Sequence, residues 1–215
     1  MQLSDLLTRI KNYIHVEGDD TDTILTQFIN DAIYDFVRMY NWRHMIVADD
    51  LTLDDSGSYT LDNGNLSSIF EREIQLINPY NNGSSETQPR TQYGKYDYAN
   101  YIQLHSKQYA YAIANGNIYV DGDNVTLKFF YMSPGDFTNF PLSDDSDEVP
   151  ATIYYVDIIE KMSLIKFLYY IQSDATTEET LLGRKLLGLK SAENRAGNSG
   201  RTLEIQRGGL GASGV

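Results

Sequence analysis

The residues able to do chemistry are few and scattered. His15, His44 and His105 are the three histidines, and none has a second His, Asp or Glu at metal-ligand spacing around it. The absence of cysteine removes disulfides, thiolate metal sites and cysteine nucleophiles together. Ser199 lies in Gly197-Asn198-Ser199-Gly200, which is not the Gly-x-Ser-x-Gly of a hydrolase elbow and follows a predicted helix where that elbow needs a strand. No Walker loop, dinucleotide-binding glycine pattern or EF-hand spacing occurs. Two acidic groups remain. Asp121-Gly122-Asp123-Asn124 has calcium-like composition, but a hairpin turn accounts for the same residues. Asp144-Asp145-Ser146-Asp147-Glu148 reads as a solvated loop leading into a helix, not a metal site. Asn65, Asn82 and Asn124 have glycosylation spacing and read as turns. No catalytic, cofactor or metal site is expected, so function has to lie in surfaces.

Tyrosine is the compositional peculiarity. There are seventeen, and Tyr93, Tyr96, Tyr98, Tyr101, Tyr109, Tyr111 and Tyr119 crowd one stretch. Tyrosine joins a broad apolar face and few rotors to a polar tip, which suits protein interfaces and also sugar stacking. Ordinary strand propensity is the third reading.

Charge is uneven along the 215 residues. The net formal charge is −13, and it divides into −14 over residues 1–150, −3 over 151–183 and +4 over 184–215. An acidic body gains nothing from phosphate neutralisation, which argues against a general nucleic-acid binder. The basic end either meets a different partner from the body or complements the negative end of a helix. The first residues lack the basic patch and apolar run of a secretory signal. No stretch approaches the ~18 apolar residues of a membrane span. A soluble product made in a cytosol, with no membrane partner, is expected.

The elements follow from periodicity. Leu3, Leu6, Leu7, Ile10, Tyr13 and Ile14 recur at 3.6-residue spacing and predict a helix over 3–15. Asp20 or Asp22 can cap a second helix carrying Leu25, Phe28, Ile29, Ala32, Ile33, Phe36, Val37 and Tyr40, ending at Asn41-Trp42. From His44 to about Phe137 the period is two. Runs at 46–53 and 69–77 read as strands, and Tyr109–Ala114 and Asn117–Val120 flank an Asn115-Gly116 turn. Val125–Tyr131 then completes a predicted β-meander, while 81–90 reads as an exposed loop. Pro150 opens a helix from Ile153 to Ile171 that is apolar nearly all round and so must be central. Thr176 and Glu179 have capping-box spacing for a last helix with Leu182, Leu186 and Leu189 on one face, ended by Gly197 and Gly200. Four glycines in Arg201–Val215 predict an arm that is mobile in isolation, and alternation in 201–207 puts Leu203 and Ile205 on one side of a strand.

The expected fold is α+β. A four-helix core comes from an N-terminal pair (1–43) and a C-terminal pair (150–197), with a β-rich insertion (44–149) and an extended tail (198–215). Phe28, Ile29, Ile33, Phe36, Trp42, Ile159 and Met162 are the expected core.

Three segments carry a family likeness. They are Phe28-Ile29-Asn30-Asp31-Ala32-Ile33-Tyr34-Asp35-Phe36 closing at Tyr40-Asn41-Trp42, Asn117-Ile118-Tyr119-Val120 leading to Leu127–Pro134, and Val149-Pro150-Ala151-Thr152-Ile153-Tyr154-Tyr155. In this order the chain, over residues 3–195, resembles the head-to-tail connector (adaptor) proteins of tailed bacteriophages. Arg43-His44 stand after Trp42 where that family is expected to carry Pro and an aromatic residue. The resemblance implies a structural, non-enzymatic virion protein of the capsid vertex. It would form a homo-oligomeric ring, usually of twelve copies, that lengthens the DNA channel beneath the portal. DNA would pass through the lumen without specific binding, and a tail or nozzle protein would dock below. The family's C-terminal extension reaches the portal, which by analogy places portal contacts on Arg195, Arg201, Leu203, Ile205 and Arg207. Tyr93, Tyr96, Tyr98, Tyr101, Tyr109 and Tyr111 are the candidates for other interfaces. The competing readings are a tail-side or nozzle component, and a carbohydrate-binding module built on the tyrosines.

Overall fold

A computed structural model describes residues 1–16, 19–54, 57–62, 64–78, 91–107, 109–120, 126–135, 140–150 and 153–208. The helices are α1 (Leu3–Ile14), α2 (Asp19–Met39), α3 (Tyr98–Gln103), α4 (Ile153–Tyr170) and α5 (Thr176–Gly208). The strands are β1 (Ile46–Thr52), β2 (Ser58–Thr60), β3 (Arg72–Asn78), β4 (Thr91–Gln92), β5 (Gly94–Tyr96), β6 (Ala110–Ala114), β7 (Asn117–Val120) and β8 (Thr126–Met132). The chain is therefore α+β, and it divides into two units, residues 1–36 with 144–215, and residues 37–143.

The first unit is helical. α1 buries Leu3, Leu6, Leu7 and Ile10 along one face and stops at His15, which takes the left-handed conformation at φ 54°. α2 buries Leu25, Ile29, Ala32, Ile33 and Phe36 at three- and four-residue steps, whereas Phe28 is half-buried with its ring edge-on to Tyr170. Asp20 and Asp22 are not caps. Both lie inside a helix that starts at Asp19, and Asp22 pairs with Lys11 of α1 at 2.8 Å. α4 buries residues on most of its sides, among them Tyr155, Ile158, Ile159, Met162, Leu164 and Phe167, as an all-round apolar helix requires.

The acidic run 144–148 is more than a solvated lead-in. The Asp147 and Asp145 carbonyls accept from the N–H groups of Leu3 and Ser4 at 2.8 and 3.1 Å, and Gln2 bridges Glu148. These bonds satisfy amides that the first turn of α1 would leave unpaired, and they set acidic residues at its positive end.

The start of α5 also differs from the expected capping box. Asp174 Oδ1 accepts from the Thr176 N–H at 2.9 Å and from its hydroxyl at 2.6 Å, while the Glu179 carboxylate accepts from the Tyr169 hydroxyl. The aspartate two residues upstream reaches the first free N–H, and Glu179 is claimed by a tyrosine at the end of α4. The largest difference lies at the far end. Residues 198–208, expected as an extended tail, continue α5 to Gly208. Glycines in that stretch lower helix propensity by about 1 kcal/mol each, but Arg, Leu, Glu and Gln around them favour helix. Residues 209–215 lie outside the described residues.

The second unit holds two four-stranded sheets, ordered β1-β8-β3-β4 and β2-β7-β6-β5. The β6–β7 hairpin turns at Asn115 and Gly116 with φ of 50° and 73°, the positive angles that dipeptide favours. The meander stops there. β8 leaves that sheet and runs antiparallel between β1 and β3 in the other one, from Ile46↔Met132 to Thr52↔Thr126 on the β1 side. Its residues Leu127, Phe129 and Tyr131 are all fully buried, as befits a strand at a sheet centre. One apolar cluster, including Leu51, Leu76, Tyr111, Ile118, Phe129 and Tyr131, joins the inner faces of both sheets. The turn 121–124 and the loop 81–90 lie outside the described residues.

Candidate functional site

The described residues contain no group of three His, Cys, Asp or Glu that could hold a metal ion, and no helix long and apolar enough to cross a membrane. The candidate sites considered are surfaces, and the tyrosine cluster divides into two kinds.

Tyr93, Tyr101 and Tyr111 are buried, at 8%, 5% and 3% exposure. Strand alternation sends Tyr111 into the core shared by the sheets, and burial, with Glu73 nearby, pushes its hydroxyl up to about 12. Tyr101 packs with Ala110 and Ala112 under α3, with the Lys107 ammonium 4.9 Å from its ring centre. These three are core residues of the subunit, where the sequence suggested interface candidates. Tyr96, Tyr98 and Tyr109 are exposed at 42%, 39% and 46%, beside Ile102 at 54%. Tyr98 lies tilted against Tyr119 with ring centres 4.8 Å apart, and Tyr109 lies edge-on to Tyr93 at 5.9 Å, so these two exposed rings each stand on another. A sugar platform needing Tyr96 and Tyr101 together is not present, because Tyr101 faces inward.

The basic C-terminal residues are carried by α5. Arg195 is exposed and donates to Ser191 Oγ at 3.2 Å, while Arg201, Leu203, Ile205 and Arg207 fall in the helical stretch that ends at Gly208. The strand alternation behind the edge-pairing expectation is therefore absent. The helix they share is held to α4 by Tyr155, whose hydroxyl donates to Glu193 at 2.6 Å, and by the pair of Lys185 with Asp157 at 3.5 Å.

The sequence reading passed over two surfaces. At the α4–α5 turn Tyr169, Tyr170 and Ile171 are exposed at 56%, 59% and 46%. Elsewhere Arg38, Met39, Tyr40, Asn41 and Arg72 line an open cleft of about 400 Å³. The run 38–44 carries Arg38, Arg43 and His44 and no acid, a signal that was legible in an otherwise acidic first half.

Comparison with known proteins then bears on these surfaces. The SU10 adaptor protein family profile matches residues 1–202, nearly the whole described chain. A comparison with curated proteins finds no match.

Proposed function

Since the chain belongs to the SU10 adaptor protein family, a family of phage head-to-tail adaptors, we propose that its copies close into a ring beneath the portal at the capsid vertex, twelve to a ring. The ring lengthens the DNA channel, serves genome ejection and gives the tail or nozzle a surface to dock on. The observation that carries this reading is the match over residues 1–202.

The electrostatics support it. A channel for packaged DNA must not grip phosphate, and a chain of net charge −13 repels it where a basic lumen would hold it by counterion release. A closed ring also needs two different patches on each subunit. The exposed tyrosines Tyr96, Tyr98 and Tyr109 supply an aromatic one. The basic end of α5 is the portal contact, with Arg195, Arg201, Leu203, Ile205 and Arg207 as its residues. Seating it costs roughly 1–2 kcal/mol of backbone freedom per residue newly fixed, which disfavours docking on partial surfaces.

The test mixes the purified chain with portal and, separately, with tail components, and repeats both with a chain stopped after Ala196. Mass photometry should show a ring on the portal for the full chain and weakened capture for the short one. Normal capture of the short chain removes the C-terminal assignment. Capture by tail components alone removes the portal-side one.

A further inference from the structure

The geometry points to the cleft between the end of α2 and the start of β3 as a receptor for a carboxylate, and to the acidic run 144–148 of a second copy of this chain as its occupant. The inference rests on the reading that copies assemble on one another, and it says through which groups.

Arg72 Nε is buried and has no hydrogen-bond partner. The two other buried polar atoms in that position, Asp22 Oδ1 and Glu160 Oε2, are ion-paired with Lys11 and Arg9 at 2.8 and 3.2 Å. Among the described residues the orphan is thus an arginine N–H lining an open cleft. A buried donor left unpaired is costly, and an orphan of this kind asks for a missing acceptor. Arg72 Nη2 reaches the Val37 carbonyl at 3.4 Å, which turns one end of the guanidinium to the last turn of α2 and leaves the Nε edge over. Arg38, on the same wall, pairs with Glu71 at 2.5 Å and is 58% exposed, so it adds positive charge at the mouth of the cleft. Two guanidinium groups around one opening suit a planar, two-oxygen anion better than a point ligand.

Charge chooses the occupant. The chain carries 30 acidic against 17 basic side chains, a surplus of 13 carboxylates over cations. They are most concentrated in the run 144–148, whose backbone is pinned to α1 while the side chains of Asp144, Asp145 and Glu148 are exposed. A cationic cleft on one copy against an acidic loop on the next is a head-to-tail contact, the kind from which rings close. DNA phosphate is the disfavoured occupant, because it must approach a strongly negative body.

The test is sedimentation of the full chain and four full-length variants over roughly a hundredfold range of concentration. Arg38→Glu and Asp145→Arg each weaken self-association about tenfold or more, and the double variant recovers most of the loss. Arg72→Gln weakens it similarly; should that variant fold poorly, the exposed pair Arg38 and Asp145 still decides. Self-association that none of these changes moves overturns the cleft contact and leaves the ring standing. A parent that stays monomeric throughout, alone and on the portal, overturns both. Binding of inorganic phosphate or a short DNA duplex that Arg38→Glu abolishes, with self-association intact, makes the cleft a phosphate site and overturns the proposal as well.

Discussion

The hydroxyl of Tyr13 donates to the carboxylate of Glu178, a residue 165 positions later in the chain, and so ties α1 to α5. The same carboxylate takes the Lys161 ammonium of α4, and that ammonium lies 5.1 Å from the Tyr13 ring centre. Three helices of one unit thus meet on a single acidic side chain that is 4% exposed. Glu178→Ala leaves Lys161, itself 17% exposed, without its carboxylate. Breaking a buried pair from one side costs about 3–5 kcal/mol, so urea denaturation of this variant should show a loss of that size. A loss below about 1 kcal/mol shows that the cluster is solvated and holds nothing together.

The same cluster sets a pH signature. Burial works to raise the Glu178 carboxyl, but the hydrogen bonds from Lys161 and Tyr13 outweigh it and hold it below the ordinary 4.5. Its contribution is present above 4.5 and is lost as the pH falls through the lower folded-state value. Tyr13 moves the other way, raised above 10.0 first by its bond to Glu178. Its contribution is present below 10.0 and fades as the pH rises through the higher folded-state value. Melting temperature against pH should therefore fall on both flanks, less steeply for Glu178→Gln. Parallel curves for parent and variant would exclude the cluster as the source.

The tyrosines separate by substitution. Tyr101→Ala removes a ring that is 5% exposed and should cost about 3–5 kcal/mol. Tyr96→Ala removes one that is 42% exposed and should change stability by less than about 1 kcal/mol, leaving any effect to appear in assembly. Thermal denaturation checks the first statement and mass photometry the second. Equal destabilisation by both would mean that the exposed set is also structural.

Legibility in the sequence followed the strength of the repeating pattern. The stripe Leu25, Ile29, Ile33, Phe36 and the all-round apolar run of α4 were readable because a helix that buries one face, or all of them, has no other way to space its residues. The Asn115-Gly116 turn was readable because few dipeptides accept two positive φ angles. Strand partners were not. β8 alternates in the same way whether it sits beside β7 or between β1 and β3, and only the three-dimensional core distinguishes the two. Burial of individual tyrosines failed for a related reason, since Tyr111 and Tyr96 differ in the sheet face they occupy and not in type. The Arg38 and Arg72 cleft joins residues 34 positions apart across a helix end and a strand start, and local spacing cannot reveal that.

Trp42 is fully buried just past α2, with the Tyr40 ring 5.0 Å away and its carbonyl accepting from Met45 N–H at 2.9 Å. Truncation to Ala empties the largest side-chain volume available and should cost on the order of 3–5 kcal/mol. A variant that melts within about a degree of the parent would show that the indole is dispensable there.

The length of α5 gives the last prediction. α4 has 18 residues and α5 has 33, so at ~1.5 Å per residue α5 is longer by about 22 Å. The two run antiparallel, with Asp157 opposite Lys185 and Tyr155 opposite Glu193. Tyr155 stands two residues from the start of α4, so the pairing runs out near Glu193 and the remainder of α5 extends past its neighbour. The propensity of an isolated helix stretch is marginal, and three glycines at 197, 200 and 208 lower it further. Hydrogen exchange of the free chain should show slow amides from about residue 180 to 193 and a steep rise in rate beyond 195. A chain stopped after Ala196 should melt within about 2 °C of the full one. On a portal complex the amides beyond 195 should slow, because docking fixes the helix end. Slow exchange through residue 208 in the free chain would instead mean that the end of α5 is already packed against its own subunit.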